Sequence, residues 1–279
     1  MKINRRNFAK IGLGTGIIAS FTNAFFIEPN LLTTTRREVF IDDLDPELDG
    51  FTIAHLTDFH HKSDKDLGLL DKVSEALADE PADLIALTGD FVDHDTNNFP
   101  ALLGHIKKWQ AKHGIVATLG NHDGWSGPRN YFVREFEAIG VQTLINSNYK
   151  LDCTAIHPLY IVGTDYVWLG RPDAAKALSG IPTEANILAL VHEPDYFDSM
   201  RKQRKIDLQL SGHTHGGQCR VPFIGYAPAK VDFGRNYIYD LYQRDGSQIF
   251  VSRGIGTTGV RVRFACPPEL ARITLRRKT

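Results

Sequence analysis

The sequence predicts an α/β fold in which two mixed β-sheets pack face to face with flanking helices, a four-layer αββα arrangement. Three observations carry that expectation. From Phe51 to about Ile139, short apolar runs alternate with segments of helical period. Beyond that point apolar runs recur with shorter helices, or none, between them. Several runs also end in Gly, Asp, His or Asn, residues that turn a chain and bind cations.

Taken in order, Phe51–Thr57 reads as a buried strand, and Leu67, Leu70, Val73 and Leu77 mark one face of a helix. Leu84–Leu87 is a strand ending in Gly89-Asp90. The segment from about Phe99 to Lys112 is helical, Ile115–Leu119 is a strand ending in Gly120-Asn121, and a helix follows near Tyr131–Ile139. Strands followed by helices imply right-handed crossovers and a parallel sheet with its functional loops at the carboxyl ends. In the second half, Leu159–Val162, Ile187–Val191, Leu208–Leu210, Ile249–Val251 and Ile273–Leu275 read as strands. A chain of 279 residues with 42% hydrophobic content suits one domain, residues 51–279, around one large core.

Residues 28–50 read as a connector, with Pro29, a Thr33-Thr34-Thr35 run and the acidic turn Asp42-Asp43-Leu44-Asp45-Pro46. Before it, residues 1–27 read as an address. Arg5-Arg6, Phe8 and Lys10 precede an uncharged stretch from Ile11 to Ile27, which resembles a twin-arginine export signal. At 17 residues and only moderately apolar, that stretch is short for a membrane span. Either cleavage after Ala24 or retention as an N-terminal membrane anchor is consistent with it. The expectation is export by the twin-arginine machinery to the periplasm or the outer face of the cytoplasmic membrane, with membrane association. Gly12-Leu13-Gly14-Thr15-Gly16 lies inside this address and is not read as a nucleotide loop.

Formal charge is −1 overall, but the first 24 residues carry four basic side chains and no acid, which leaves −5 on the remainder. An acidic body and the lack of an evident stacking platform argue against nucleic acid as a partner. Cys153, Cys219 and Cys266 are too few and too scattered for a disulfide framework or a zinc knuckle, and read as small buried hydrophobes.

Five motifs carry the chemistry: Asp58-Phe59-His60, Gly89-Asp90, Gly120-Asn121-His122-Asp123, His192, and Gly212-His213-Thr214-His215-Gly216-Gly217-Gln218. Hard oxygen and imidazole ligands gathered on one sheet rim suit a pair of divalent cations that activate water against a phosphate ester. Asp90, central in the set, is the candidate bridge between the ions. Asp58 and His60 alternate along the chain, and an extended backbone would point both to one side. His213 and His215 repeat the spacing among glycines. Asn121 offers an amide oxygen, and His192 an imidazole at a strand end. His122 cannot face the same ion as its neighbour, so it is assigned to protonating the leaving oxygen or steadying the phosphoryl charge. Asp123 is expected to orient its ring.

In this order the motifs resemble the calcineurin-like metallophosphoesterase superfamily over roughly residues 51–279. Within it the chain is similar to the YaeI/YkuE-type bacterial phosphodiesterases. The resemblance rests on Thr-Asp-Phe-His, Thr-Gly-Asp-Phe-Val-Asp, Leu-Gly-Asn-His-Asp, and Ser-Gly-His-Thr-His-Gly-Gly-Gln-Cys-Arg-Val-Pro, with Ser252–Gly256 and Cys266–Glu269. It implies that Asp58, His60, Asp90 and His215 bind one metal and that Asp90, Asn121, His192 and His213 bind the other. His122 is then the acid, and two ions among Mn²⁺, Fe²⁺ and Zn²⁺ are the cofactors. The residues after Gly89-Asp90 lack the Arg-Gly of serine/threonine protein phosphatases. Asp93 stands where purple acid phosphatases carry a metal-binding tyrosine.

The expected activity is hydrolysis of a small or lipid-linked phosphodiester. One alternative is a pyrophosphate hydrolase of envelope lipid synthesis, like UDP-diacylglucosamine hydrolases. Another is a catalytically silent metal-binding scaffold, although every ligand and the acid histidine remain. Gly254-Ile255-Gly256-Thr257-Thr258-Gly259 formally matches a dinucleotide fingerprint, but no helical pattern follows it and it reads as a turn. Arg261 and Arg263 read as a solvated strand face, or as reaching a substrate phosphate. The apolar loop Val221–Tyr226 reads as ordinary loop packing, with an acyl chain or a membrane as the other occupants.

Overall fold

The computed structural model describes residues 15–278, except Thr154, Tyr226, Ala229 and Lys230, and leaves out the side chain of Asp64. The Arg5-Arg6 pair of the expected address lies outside the described residues. The first sheet orders its strands β1 (Thr33–Ile41), β12 (Glu269–Arg277), β2 (Thr52–Leu56), β3 (Leu84–Thr88), β4 (Ile115–Thr118) and β5 (Val141–Thr143). Strands β2 to β5 run parallel to one another, and β12 runs antiparallel to β2. The second sheet orders β10 (Asp240–Arg244), β11 (Ser247–Val251), β9 (Leu208–Ser211), β8 (Asn186–Leu190), β7 (Leu159–Gly163) and β6 (Ser147–Lys150). Its four inner strands are parallel and both edges antiparallel.

Period-two alternation divides the inner strands between two cores. Ile53, Leu84, Ala86 and Val116 face Leu188, Leu190, Leu208, Leu210 and Phe250 of the other sheet. Ala54, Leu56, Ile85, Leu87 and Ala117 face outward onto α1 (Leu67–Asp79), α2 (Phe99–Ile106) and α4 (Arg129–Glu137). The opposite outer face packs Ile187, Ala189 and Ile249 against α5 (Ala174–Ala177) and α6 (Phe197–Gln203). A parallel strand buried on both faces needs apolar residues throughout, which is why β3 and β8 are entirely buried. The expected four layers are those observed.

The connector is not a connector. Residues 33–41 form β1, paired in parallel with β12 at nine positions, and Val39 and Ile41 are buried between the sheets. Arg37 binds Asp240 of β10 through two bonds, Nε–Oδ1 2.7 Å and Nη2–Oδ2 2.8 Å, joining the matching edges of the two sheets. Thr34, Arg36, Glu38 and Phe40 fill the exposed positions of this edge strand, so its first six residues offer no apolar signal. The same reason hides β5, β6 and β10.

Residues 15–22 are helical and continue into the turn Asn23–Ile27. Ile17, Ile18, Phe21, Phe26 and Ile27 are exposed, whereas Ala24 and Glu28 are buried. Arg263 N donates to Ala24 O at 3.0 Å, and Cys266 N donates to Glu28 Oε1. Among the described residues no helix is long and apolar enough to cross a membrane.

If 28–50 were a passive linker, trimming Ile41 would cost nothing. Ile41→Ala should instead lower unfolding free energy by about 2–5 kcal/mol in a denaturant titration. An unchanged midpoint would remove β1 from the cooperative core.

Candidate metal centre

Four parallel strands deliver the motif loops to one rim: β2 the Asp58 loop, β3 Asp90, β8 His192 and β9 the His213 loop, while α3 (Asn121–Ser126) opens directly after β4. The expected extended alternation fails. Asp58, His60, Asp90, His213 and His215 all have left-handed φ angles, 53°, 41°, 54°, 71° and 51°. Side chains with a Cβ disfavour that region, and such residues cluster at functional sites. The backbone curls at each strand end and aims side chains two apart at a common centre, as an extended chain would not from a loop that turns back at once.

Asp58 N, His60 N and His61 N each donate at 3.0 Å, to Gly89 O, Asp90 O and Phe91 O respectively, which zips the first two loops together. Gly120 and Gly212 pass so close to the carboxylates of Asp90 and Asp58 that a Cβ on either would collide with a carboxylate oxygen.

Asp123 does not hold His122, contrary to expectation. Its buried carboxylate accepts from four backbone amides: Asp90 N 2.9 Å, Gly120 N 2.8 Å, Phe91 N 2.8 Å and Val92 N 3.3 Å. The first turn of α3 brings Asp123 back toward the strand ends, away from the ring of its neighbour. The residue that holds His122 is Asp93. The His122 Nδ1 lies 2.8 Å from Asp93 O and 3.3 Å from Asp93 Oδ1. The same Oδ1 accepts from His60 Nδ1 at 2.8 Å, and Oδ2 lies 2.9 Å from Lys62 Nζ. Asp93 stands three residues after Asp90 in Gly-Asp-Phe-Val-Asp, and that spacing was its only signal in the sequence.

Among the described residues, three groups bring potential ligand atoms within 4.8 Å of one another: Asp58, His60 and His215; Asp90, His192 and His213; and His60, Asp93 and His122. Asp90 Oδ2 links the first two, 3.4 Å from His60 Nε2 and 3.1 Å from His192 Nε2. Asn121 Oδ1 joins the second at 2.9 Å from His213 Nδ1. Every ligand predicted from the sequence therefore lies in one buried cluster.

Three of the four outer ring nitrogens are spoken for, while His215 Nδ1 has no hydrogen-bond partner among the described residues. His192 Nδ1 donates to Thr88 O at 2.6 Å, His60 Nδ1 to Asp93, and His213 Nε2 to Asp232 O at 2.7 Å. That leaves the unprotonated Nδ1 of His213 pointing at Asn121 Oδ1 across 2.9 Å, and sets His60 Nε2 3.0 Å from His215 Nε2. Facing lone pairs are unfavourable alone and are what cations between them would satisfy. The donor set therefore fits divalent metals, and its mixed nitrogen and oxygen character does not choose among them.

Burial would raise Asp90, but His192 and His60 outweigh it and hold the carboxyl far below the usual range. Burial, with the His192 charge, lowers His213 to about 3, so the ring is neutral and able to bind a cation. Burial also opposes charge on His122, yet the hydrogen bond to Asp93 and the field of Asp90 raise it to about 9. The cluster floors a cleft of about 440 Å³ whose wall includes Trp168, Gln218 and Cys219.

Arg263 is not solvated and does not line the cleft. It is fully buried, and its guanidinium donates to the carbonyls of Arg253, Gly254, Gly256 and Cys266. It thereby braces the 254–256 turn, whose Ile255 N and Gly256 N bind Thr57 O and Asp58 O. The apparent dinucleotide fingerprint supports the Asp58 loop from beneath. Arg261 binds Asn30 Oδ1 at 2.7 Å. Val221, Phe223 and Ile224 are exposed, against the expected loop packing, and Tyr226 lies outside the described residues. Cys266 is buried as expected, while Cys153 and Cys219 are half-buried.

This fold and rim of ligands define a class, and the model of the calcineurin-like phosphoesterases matches residues 51–217. The chain belongs to that family and is a hydrolase of the metallophosphoesterase class. It is 32% identical to the metallophosphoesterase YkuE of Bacillus subtilis, over 99% of this chain and 98% of that one. It is 31% identical to phosphodiesterase YaeI of Escherichia coli, over 98% and 99%. In three dimensions it is similar to TT1561 of Thermus thermophilus, with a TM-score of 0.51, 14% identity and coverage of 74% and 90%, a likeness of fold.

A raised His122 means that its charged form stabilises the folded protein at neutral pH, a contribution lost as pH climbs through about 9. In metal-free protein, imidazole NMR should show His122 titrating near there. In Asp93→Asn the midpoint should fall toward the ordinary histidine value, about 6.5. A midpoint that does not move would show that Asp93 is not its partner.

Proposed function

We propose that this chain is a phosphodiesterase that holds two divalent cations, one on Asp58, His60, Asp90 and His215 and one on Asp90, Asn121, His192 and His213. The observation that carries this reading is the Asp90 carboxylate, placed within 3.4 Å of His60 and 3.1 Å of His192. When bound, such ions supply positive charge for phosphoryl oxygens and acidify a water, at Mn²⁺, Fe²⁺ or Zn²⁺ alike. The residues do the rest. Asp90 Oδ1 accepts from His122 N at 2.8 Å, which fixes the start of α3 against the cluster. Asp93 holds His122 Nδ1, so the opposite ring nitrogen carries a proton toward the cleft for the leaving oxygen. The phosphodiesterase name of the YaeI relative supports the same reading.

Hydrolysis of bis(p-nitrophenyl) phosphate by chelator-stripped protein should return on adding Mn²⁺, Zn²⁺ or Fe²⁺, and Asp90→Asn should lose at least about a hundredfold. Silence from folded protein carrying two ions would overturn the phosphodiesterase reading in favour of a narrow pyrophosphate substrate or a scaffold.

We also propose export by the twin-arginine machinery to the periplasm or outer face of the cytoplasmic membrane, with the N-terminal helix kept as a peripheral anchor. Support comes from Arg5-Arg6 ahead of an uncharged stretch, from the exposed Ile17, Ile18 and Phe21, and from the hydrogen bond between Ala24 and Arg263. Arg5→Lys with Arg6→Lys should strand the protein in the cytoplasm on fractionation. Undiminished export of that variant would exclude this route.

A further inference from the structure

We infer that Trp125, Trp168 and Phe233 form a shelf for a planar ring carried by one arm of the substrate, so that the preferred phosphate ester bears an aryl or nucleobase-like group. This deepens the phosphodiesterase reading and rests on it. The Trp125 ring lies 4.6 Å from His122 and meets Trp168 edge to face at 5.0 Å and 86°. Trp168 in turn lies 6.4 Å from His213 and 6.1 Å from Phe233. The three rings thus run along the rim from the assigned acid to a ligand of the second cluster, and Trp168 walls the cleft itself.

Trp125 and Phe233 are 43% and 40% exposed, a large apolar area to leave in water beside a polar site. They are not spill-over from a core, since the rings come from three separate segments: α3, the loop after β7, and the loop before β10. Among the described residues neither the Trp125 nor the Trp168 indole N–H has a hydrogen-bond acceptor, so both donors remain available to a ligand.

The shelf is also held in place before any ligand arrives. Buried Glu193 accepts from Val167 N at 2.9 Å and Trp168 N at 3.0 Å. Two residues on, Asp195 N donates to Phe233 O at 2.9 Å, and its carboxylate accepts from Arg235 N and Asn236 N, each at 3.0 Å. One turn, His192-Glu193-Pro194-Asp195, therefore positions a metal-cluster histidine and two of the three rings. A site preorganised in this way loses little entropy on binding.

A ring fits this surface better than an alkyl chain. Aromatic faces and edges with free N–H donors recognise another π-system, and every planar base or aryl group offers one. A long chain would need an aliphatic channel, and Val231 is the one aliphatic side chain lining the cleft among the described residues. The stacking platform that the sequence did not display is thus present. The acidic body still argues for a small ester over a polynucleotide.

The test is calorimetric binding to metal-loaded full-length protein, which needs no turnover. Phenyl phosphate and adenosine 5′-monophosphate are compared with hexyl phosphate. The ring-bearing ligands should bind at least about tenfold tighter, the scale of one stacked ring. Trp168→Ala and Trp125→Ala should each remove most of that preference while leaving hexyl phosphate unchanged, and Trp168→Phe should keep part of it. Equal affinity for all three ligands, or tighter hexyl phosphate, would overturn the shelf, as would an equal loss for all three in both alanine variants. Failure to hydrolyse bis(p-nitrophenyl) phosphate is a separate result and bears on the phosphodiesterase reading alone.

Discussion

The buried carboxylate of Asp123 gathers four backbone amides from two loops, and the geometry of the centre depends on that collection. Three of the amides belong to Asp90, Phe91 and Val92, and the fourth to Gly120. By binding them, Asp123 fixes the loop after β3 against the start of α3. That in turn holds Asp90 in its left-handed conformation. Only from there does its carboxylate reach both histidine clusters. Burial and the Asp90 charge raise the Asp123 carboxyl to about 7 although the amides favour its ionised form, and four amides left unpaired in the core would each be costly. Asp123 thus acts on the cluster through the backbone, without touching the His122 ring.

Concentrating this much charge in a core has a consequence. Burial raises Asp58, and the neighbouring Asp90 charge raises it further, while His60 and His192 pull it down. His192 rises well above its ordinary value because Asp90 lies against it. Burying ionised groups is unfavourable unless partners compensate them. Within the protein the compensation is partial, since His213 and His215 are driven neutral by burial even as Asp90 keeps His192 charged. Neutral His213 and His215 have the protonation state a divalent cation would require, whereas charged His192 would have to release its proton to bind one.

Much of the fold was legible because the inner strands are apolar on both faces. Leu84–Leu87 and Ile187–Val191 announce themselves, and the ligands follow them at the strand ends. The edges were not legible: Thr33–Ile41 carries only Thr, Arg and Glu through its first six positions, so a strand that closes the first sheet reads as a tether. For the site, residue identity was readable and backbone geometry was not. The Asp-x-His and His-x-His spacings suggested extended alternation, whereas left-handed turns do the aiming. Adjacency in the sequence made Asp123 the partner of His122, but a helical first turn separates the two side chains and brings Asp93 in from another loop. Arg263 looked solvated because its carbonyl partners lie at Arg253, Gly254, Gly256 and Cys266, a turn that exists only once the chain folds.

The turn from His192 to Asp195 shows how one scaffold separates chemistry from recognition. His192 is set by the end of β8 and by Thr88 O, both part of the core, and cannot move without disturbing the sheets. Glu193 and Asp195 face the other way and carry no ligand atom of the two clusters. They instead bind the amides of loops that begin at Val167 and Arg235. Changing those loops would alter the rings at the rim while leaving the ligands fixed. Changing the carboxylates would loosen the rim before it disturbed the cluster. A rigid floor with separately fastened walls lets substrate preference vary while the hydrolytic centre stays constant, which is how a shared fold serves different esters.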